Sequence, residues 1–309
     1  MGGGLWPVVA DAPAYERWDF GGHPYGLEPL TLPAPGSWHP AEGTAAVVKV
    51  SGIGGTPARA SLLEEFGVPP RLAALPEDTD RLYWFRWITG HQVCFILWQQ
   101  IGRLMRESAD GECGPAEAIA PLRHHVRGCC AMLIYTGSCP GSVYSRVIRP
   151  SMRLQHPAFS GSWAPDFWPV RDLLRGRHTA FAGVPGAEGL AEAVELYRTV
   201  HEEVAARLVP DGQSLLRKAD MRSWNLPVMR LMYDNFFLTM RAEVGADRVC
   251  AQLLRRLVAI ARDVQVNGLH PGRALSAARI EGCDADVAEL LDEVARAVAQ
   301  PPRMREVTG

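Results

Sequence analysis

One histidine, His91, stands in a stretch that is otherwise mostly aromatic and aliphatic, RLYWFRWITGHQVCFILWQQI (81–101). On a helix, residues three, four and seven positions away share its face, namely Trp84, Trp87, Ile88, Cys94, Phe95 and Trp98. His91 therefore projects into an apolar, aromatic environment. An imidazole there is either a core group held by a hydrogen bond to a neighbour or a group reserved for chemistry. Gly90 beside it costs about 1 kcal/mol of helix propensity relative to Ala. A bare glycine at that point lets something flat approach the backbone.

A second stretch carries Val194, Tyr197, Arg198, His201, Val204, Ala205 and Leu208 on one helical face. His201 is the sole histidine of this helix. A neutral imidazole flanked by small and aliphatic residues in a bundle suits an axial haem ligand, and Ala205, one turn on, leaves room for a macrocycle. The alternative is again a satisfied core histidine. The other histidines are weaker candidates. His124 and His125 are adjacent and point to different sides of a helix, His156 and His178 lie in Pro-rich and basic segments, and His23, His39 and His270 read as loop residues. No HxH and no carboxylate at facial-triad spacing favours non-haem iron.

The elements that must position these groups are helices. Residues 79–107 contain no Pro and follow helical periodicity, with Asp78 or Thr79 as N-cap. Further helices are expected over 115–136, with Pro115 at the first position, 140–149 ending near Pro150, 166–175, 187–209, 222–243, 245–266 and 285–299. Residues 150–165 read as a loop. The chain divides into an irregular, Gly- and Pro-rich N-terminal arm over 1–75, with a short strand around 45–52, and a helical domain over 76–309. Such an arm wraps its own core or a partner subunit, and the second alternative would make a homodimer or homo-oligomer. A doubly wound sheet is disfavoured because strands and helices do not alternate. GxGxxG, Walker A, GxSxG and HExxH motifs are absent, which removes the commonest nucleotide, hydrolase and zinc-protease readings.

With 309 residues the chain can bury a sizeable core, and nine Trp furnish core packing or a platform over a planar ligand. A net charge of -2 gives no support to nucleic acid or an anionic membrane as partner. No run of about 18 apolar residues points to a membrane span. The N-terminus lacks the basic and apolar regions of a signal peptide. The seven cysteines are odd in number and form no CxxC pair, as expected of reduced thiols in a cytoplasm.

The segment TGHQVCFILWQQI (89–101) resembles the HQxxELWFKQI helix of tryptophan 2,3-dioxygenase, without the Glu of that pattern. Arg149-Pro150 followed by Phe159-Ser160-Gly161-Ser162 is similar to that family's Arg and SGFQS stretch. The fuller pattern, YTGS (135–138), IRPSM (148–152), FSGSWAPD (159–166) and HEEVAARLVPDG (201–212), resembles haem-dependent tyrosine hydroxylases of the same superfamily, over roughly 80–240. The resemblance implies a mainly α, helical bundle enclosing a b-type haem. It implies conversion of L-tyrosine to L-DOPA with hydrogen peroxide in a secondary-metabolite pathway. His201 becomes the axial ligand, and Trp87 and Ala205 border the haem. Ala205 stands where one branch carries the Cys of an HxxxC motif, so covalent haem attachment by that route is excluded.

The same resemblance makes His91 the distal residue that relays a proton, a role suited to an imidazole titrating near neutrality. Arg149 pairs with the substrate carboxylate or is a surface or propionate-binding arginine. Ser160, Ser162 and Trp163 line a loop over the pocket. Tyr135 and Thr136 are substrate contacts or the packing of a helix end. The competing functions are an O2-dependent indole-ring dioxygenase, a non-enzymatic haem-binding bundle, and a metal-free core with two ordinary histidines.

Overall fold

The computed structural model describes residues 25–37, 79–209 and 226–269. Among them the chain is mainly helical. The central element is α1, Thr79–Ala109, with Asp80 in its first turn and Arg106 in its last, each complementing the helix dipole. Its middle is buried all round, Leu82, Phe85, Ile88, Val93, Phe95, Ile96 and Leu97 facing several neighbours at once. A helix that is apolar on every side must be covered on every side. The cover comes from α2, Pro115–Gly137, and from later elements.

α1 and α2 run antiparallel, because Gly90 lies against Thr136 while Cys94, one turn on in α1, neighbours Cys129, two turns back in α2. α4, Ala187–Leu208, runs parallel to α2, with Gly189 against Arg123 and Gly137 against Val204. Arg207 fixes this pair by donating to the carbonyls of Gly137 and, at 2.9 Å, Cys139, which the end of α2 leaves without helical partners. The α-turn Gly141–Val143 passes through a π-helical turn, Tyr144–Ile148, into α3, Arg149–Gln155. The 3-10 turns Gly161–Trp163 and Pro165–Val170 and the helical turn Arg171–Leu174 follow. α5, Leu226–Phe236, and α6, Ala246–Asn267, close the far side of α1.

Residues 25–37 pack on this core. Strand β1, Leu30–Leu32, pairs in parallel with β2, Thr239–Arg241, in the register Leu30 to Thr239. The Gln252 amide of α6 completes the other edge, accepting from Thr31 N–H at 2.8 Å and donating to Thr31 C=O at 2.9 Å. The strand expected at 45–52 and the helix expected at 285–299 lie outside the described residues.

Two expected elements need correction. The helix expected to stop near Pro150 continues to Gln155. The π-turn explains how, because Arg149 N–H donates to Tyr144 C=O, five residues back. The widened turn spares Pro150 the clash that proline meets inside a regular helix. The helix expected over 222–243 ends instead at Phe236, and Leu238 takes a positive φ of 51° before β2 begins. Aromatic and β-branched residues there follow the strand Leu30–Leu32, a tertiary partner that local periodicity does not register.

Gly90 also has a different purpose from the one its sequence position implied. The flat object against its backbone is α2. A Cβ at this position would stand 2.4 Å from Thr136 Cγ2 and 3.2 Å from Tyr135 Cδ1. Neither side chain can yield easily, since Thr136 Oγ1 donates to Met132 C=O at 2.8 Å and Tyr135 OH donates to Asp263 at 2.7 Å. Gly90→Ala is therefore expected to lower unfolding free energy by about 1–3 kcal/mol despite the better helix propensity of Ala, measured by urea denaturation. A variant as stable as the parent protein would show that the two helices can move apart freely.

Candidate functional site

His91 lies at the edge of the core, half-buried. Its ring stacks on Phe237 at 4.6 Å between centroids and tilts against Trp87 at 4.5 Å. Nδ1 is 2.6 Å from the Trp87 carbonyl one turn back. A carbonyl only accepts, so Nδ1 carries the proton and Nε2 keeps its lone pair. Removal from water among aromatic rings pushes the His91 pKa down to about 4, against a smaller opposing pull from the Trp87 carbonyl. The expectation of titration near neutrality is thus corrected. His91 is a neutral imidazole with an available Nε2.

The adjacent Gln92 explains why His and Gln occur together. Its Nε2 donates to Phe237 C=O at 2.9 Å and Glu28 C=O at 3.1 Å, and its Oε1 accepts from Arg256 Nε at 2.8 Å. Gln92 therefore fixes the backbone of the residue whose ring stacks on His91. Behind Phe237 stand Tyr233, Phe236 and Phe159 at 4.8, 4.9 and 6.3 Å. Phe159 ties the FSGSW segment to this wall.

Trp87 forms the opposite wall. Its Nε1 is buried and has no hydrogen-bond partner among the described residues, an unspent donor beside His91. The Trp87 ring meets Tyr144 edge-on at 5.7 Å, and burial raises the Tyr144 phenol pKa against the opposing effect of the nearby Arg149 guanidinium. Arg149, half-buried, thus stands beyond two aromatic rings from His91.

His201 is placed by the helix register. Gly90 and Cys94 mark the height of α1 along α2, at Thr136 and Cys129, while Gly189 and Gly137 mark that of α4, at Arg123 and Val204. Three residues before Val204, His201 stands at the height of Leu133 and Ile134 and hence of His91. Its ring is exposed and stacks loosely on Tyr197 at 6.4 Å. Partial desolvation lowers its pKa, opposed by Glu202 and reinforced by Arg175. Ala205, one turn on, and Leu133 of α2 are half-buried.

The remaining sequence candidates take other places. Ser160 caps the 3-10 turn, its Oγ accepting from Ser162 N–H at 3.2 Å and lying 3.0 Å from Ser162 Oγ. Trp163 is buried against His156 and Phe159. Tyr135 belongs to a buried network with Asp263 and Arg86, and Thr136 is the contact of Gly90. Among the described residues no cluster of three His, Cys, Asp or Glu side chains could hold a metal ion, and the six described cysteines are free thiols. No helix of the described residues is long and apolar enough to cross a membrane. Sequence reasoning missed Phe237 and Tyr144. Phe237 follows an unforeseen helix end, and the backbone of Tyr144 meets that of Arg149 only because of the π-turn.

Fold and cleft together define a helical protein built round one unprotonated imidazole in an aromatic slot. Residues 39–195, half of the chain, match the model of the SfmD 3-methyl-L-tyrosine peroxygenase family, and the chain belongs to that family of peroxide-using oxidoreductases. The match includes His91, Arg149 and the FSGSW segment and ends before His201. A comparison with curated proteins gives no match.

The depressed imidazole has a consequence for stability. His125, buried with Nδ1 2.5 Å from Pro121 C=O, is likewise pushed down to about 4 by burial. Both groups bind a proton less readily folded than unfolded, where the ordinary value is 6.5. Unfolding therefore takes up protons between about pH 6.5 and about pH 4, and stability falls as pH drops through that window. The urea midpoint should be lower at about pH 5 than at about pH 7, and His125→Gln should reduce the difference. Equal midpoints would mean that neither ring is desolvated.

Proposed function

We propose that this chain is a haem-dependent, peroxide-using hydroxylase that converts L-tyrosine to L-DOPA in a secondary-metabolite pathway. The observation that carries this reading is the pair of polar groups around Trp87. On one side stands His91 with Nδ1 bonded to the Trp87 carbonyl and Nε2 unprotonated, and on the other, beyond Tyr144, the Arg149 guanidinium. A phenolic amino acid needs such a pair, a proton acceptor for the ring end and a cation for the carboxylate. Family membership supports peroxide as oxidant and a tyrosine-type substrate.

The chain has groups that fit a haem. His91 and His201 stand at one height on the bundle, His201 is exposed, Leu133 and Ala205 are half-buried, and the buried Trp87 indole N–H has no partner among the described residues. His201 would hold the iron, with Trp87 and Ala205 bordering the macrocycle. Non-covalent haem b is the reading, since Ala205 has no thiol. Bound haem supplies the oxidising power that peroxide chemistry on an aromatic ring requires.

The protein supplies proton handling and position. His91 Nε2 takes a proton from peroxide or from the substrate phenol, and the Nδ1–H bond to Trp87 C=O steadies the imidazolium that forms. A pKa near 4 makes that proton easy to return. Overall, tyrosine and one hydrogen peroxide give DOPA and one water. Phe237 and Trp87 flank the imidazole and keep bulk water from it.

The test is turnover with hydrogen peroxide, products being identified by mass. L-tyrosine should gain one oxygen atom, and His91→Ala should slow this about 100-fold or more while the protein stays folded. A product from tryptophan and O2 carrying two added oxygens would establish the dioxygenase alternative. No turnover with any aromatic amino acid would leave a haem-binding bundle without catalysis. Hydroxylation of 3-methyl-L-tyrosine but not of L-tyrosine would reject the unsubstituted substrate.

A further inference from the structure

Phe237 reaches His91 from a backbone turn that its neighbour disfavours. Leu238, the next residue, has a φ of 51°, in the left-handed region that residues other than glycine enter only where their surroundings impose it. The groups that impose it come from two other segments. The Gln92 amide of α1 donates to Phe237 C=O at 2.9 Å, and Leu30 N–H of β1 donates to Leu238 C=O at 2.9 Å. Thr239 Oγ1 also donates to Phe237 C=O, at 3.3 Å, but it belongs to the same turn and moves with it. Gln92 is itself held at both ends of its amide. Its Nε2 donates to Glu28 C=O at 3.1 Å, its Oε1 accepts from Arg256 Nε at 2.8 Å, and Arg256 Nη2 donates to Glu28 C=O at 3.0 Å. Gln92 is buried, so water does not compete for these bonds. The clamp fixes the Phe237 ring 4.6 Å from the His91 imidazole and within 22° of parallel to it.

We propose that Gln92 is a positioning residue for His91: acting through Phe237, it holds the imidazole in place and out of water, so that Nε2 stays a proton acceptor in acid as well as at neutrality. The inference rests on the reading of His91 as the proton acceptor of a tyrosine-type hydroxylase and adds the residue that sets its working range. Several titratable groups stand around this ring. α1 contributes the Cys94 thiol, and the segment carrying Phe237 contributes Tyr233 and Asp234, the latter paired with Arg241 at 2.6 Å. The π-turn contributes Tyr144, with Arg149 beyond it, and α4 contributes His201 with its neighbour Glu202. The His91 pKa of about 4 comes instead from loss of water, opposed by the Trp87 carbonyl. Admitting water is therefore the change that moves it.

Hydrogen–deuterium exchange at the imidazole C2–H, read by mass spectrometry, gives the midpoint of each histidine separately in the full-length, haem-loaded protein. The parent protein should show a His91 midpoint of about 4. Gln92→Leu keeps the bulk and removes the clamp, and it should raise that midpoint to about 6, close to the ordinary value. His125, on α2 and outside the clamp, should stay at about 4 and so reports that the fold is kept. Phe237→Leu removes the ring and leaves the Gln92 bond to the backbone. It should raise the His91 midpoint equally, the double variant should add little, and it decides the matter alone if Gln92→Leu does not fold. With peroxide and L-tyrosine, kcat/KM of the parent protein should be nearly equal at about pH 5 and about pH 7, whereas Gln92→Leu should lose about tenfold between the two. A loss of one size at both pH values is a structural effect and overturns the proposal. A folded variant whose His91 midpoint stays near that of the parent protein overturns it too, as does a parent protein whose His91 titrates at the ordinary value, and in each case the tyrosine reading stands. If the parent protein hydroxylates no tyrosine at any pH, that reading and this inference fall together.

Discussion

The structure depends on one constraint, that α1 is buried on every side while carrying polar side chains. A buried polar group without a partner costs several times the net worth of a hydrogen bond, so each must be answered from a neighbouring segment. Arg86 finds Asp263 at 2.7 Å, Ser138 Oγ at 3.0 Å and the Gly268 carbonyl at 2.8 Å. Gln92 takes Phe237, Glu28 and Arg256. Gln99 donates to Pro33 C=O and to Asp166. These demands stitch residues 25–37, the end of α2, the turn after α5 and α6 around one helix. His91 differs, because its Nδ1 is satisfied within its own helix by Trp87. Its other nitrogen has no such structural bond among the described residues.

The cleft follows from that arrangement. Gln92 clamps the wall by fixing the backbone of Phe237, whose ring stacks on the imidazole. Arg256, buried and with a pKa lowered to about 10 by desolvation, holds Gln92 in turn. The close helix contacts at Gly90 and Gly137 set the heights of α1 and α4 along the end of α2. That spacing gives His91 and His201 their common height. The π-turn then places Arg149 five residues beyond Tyr144, whose ring packs edge-on against Trp87.

Much of this was legible in the sequence, for a physical reason. Long apolar periodic stretches have few alternatives to helix, so α1, α2, α4 and α6 were placed within a residue or two. His91 was singled out because a titratable group on an aromatic face is unusual. Its protonation state was not legible, since desolvation depends on Phe237, which arrives from 146 residues away. Pro150 argued for a helix end because the π-turn that accommodates it leaves no local mark. Ser160 and Ser162 matched a motif but spend their hydroxyls on shaping a turn, whereas Phe159 makes the contact toward the wall. Gln92, read as part of a motif with His91, proved to be its structural complement.

The central claim is that the His91 cleft faces a haem whose iron is held by His201. Titrating the purified protein with haemin and recording the Soret band tests it most directly. The account predicts saturable binding with a histidine-ligated Soret band that His201→Ala abolishes or strongly shifts. It also predicts that His91→Ala keeps the band. An unchanged Soret band in the His201→Ala protein would contradict the account.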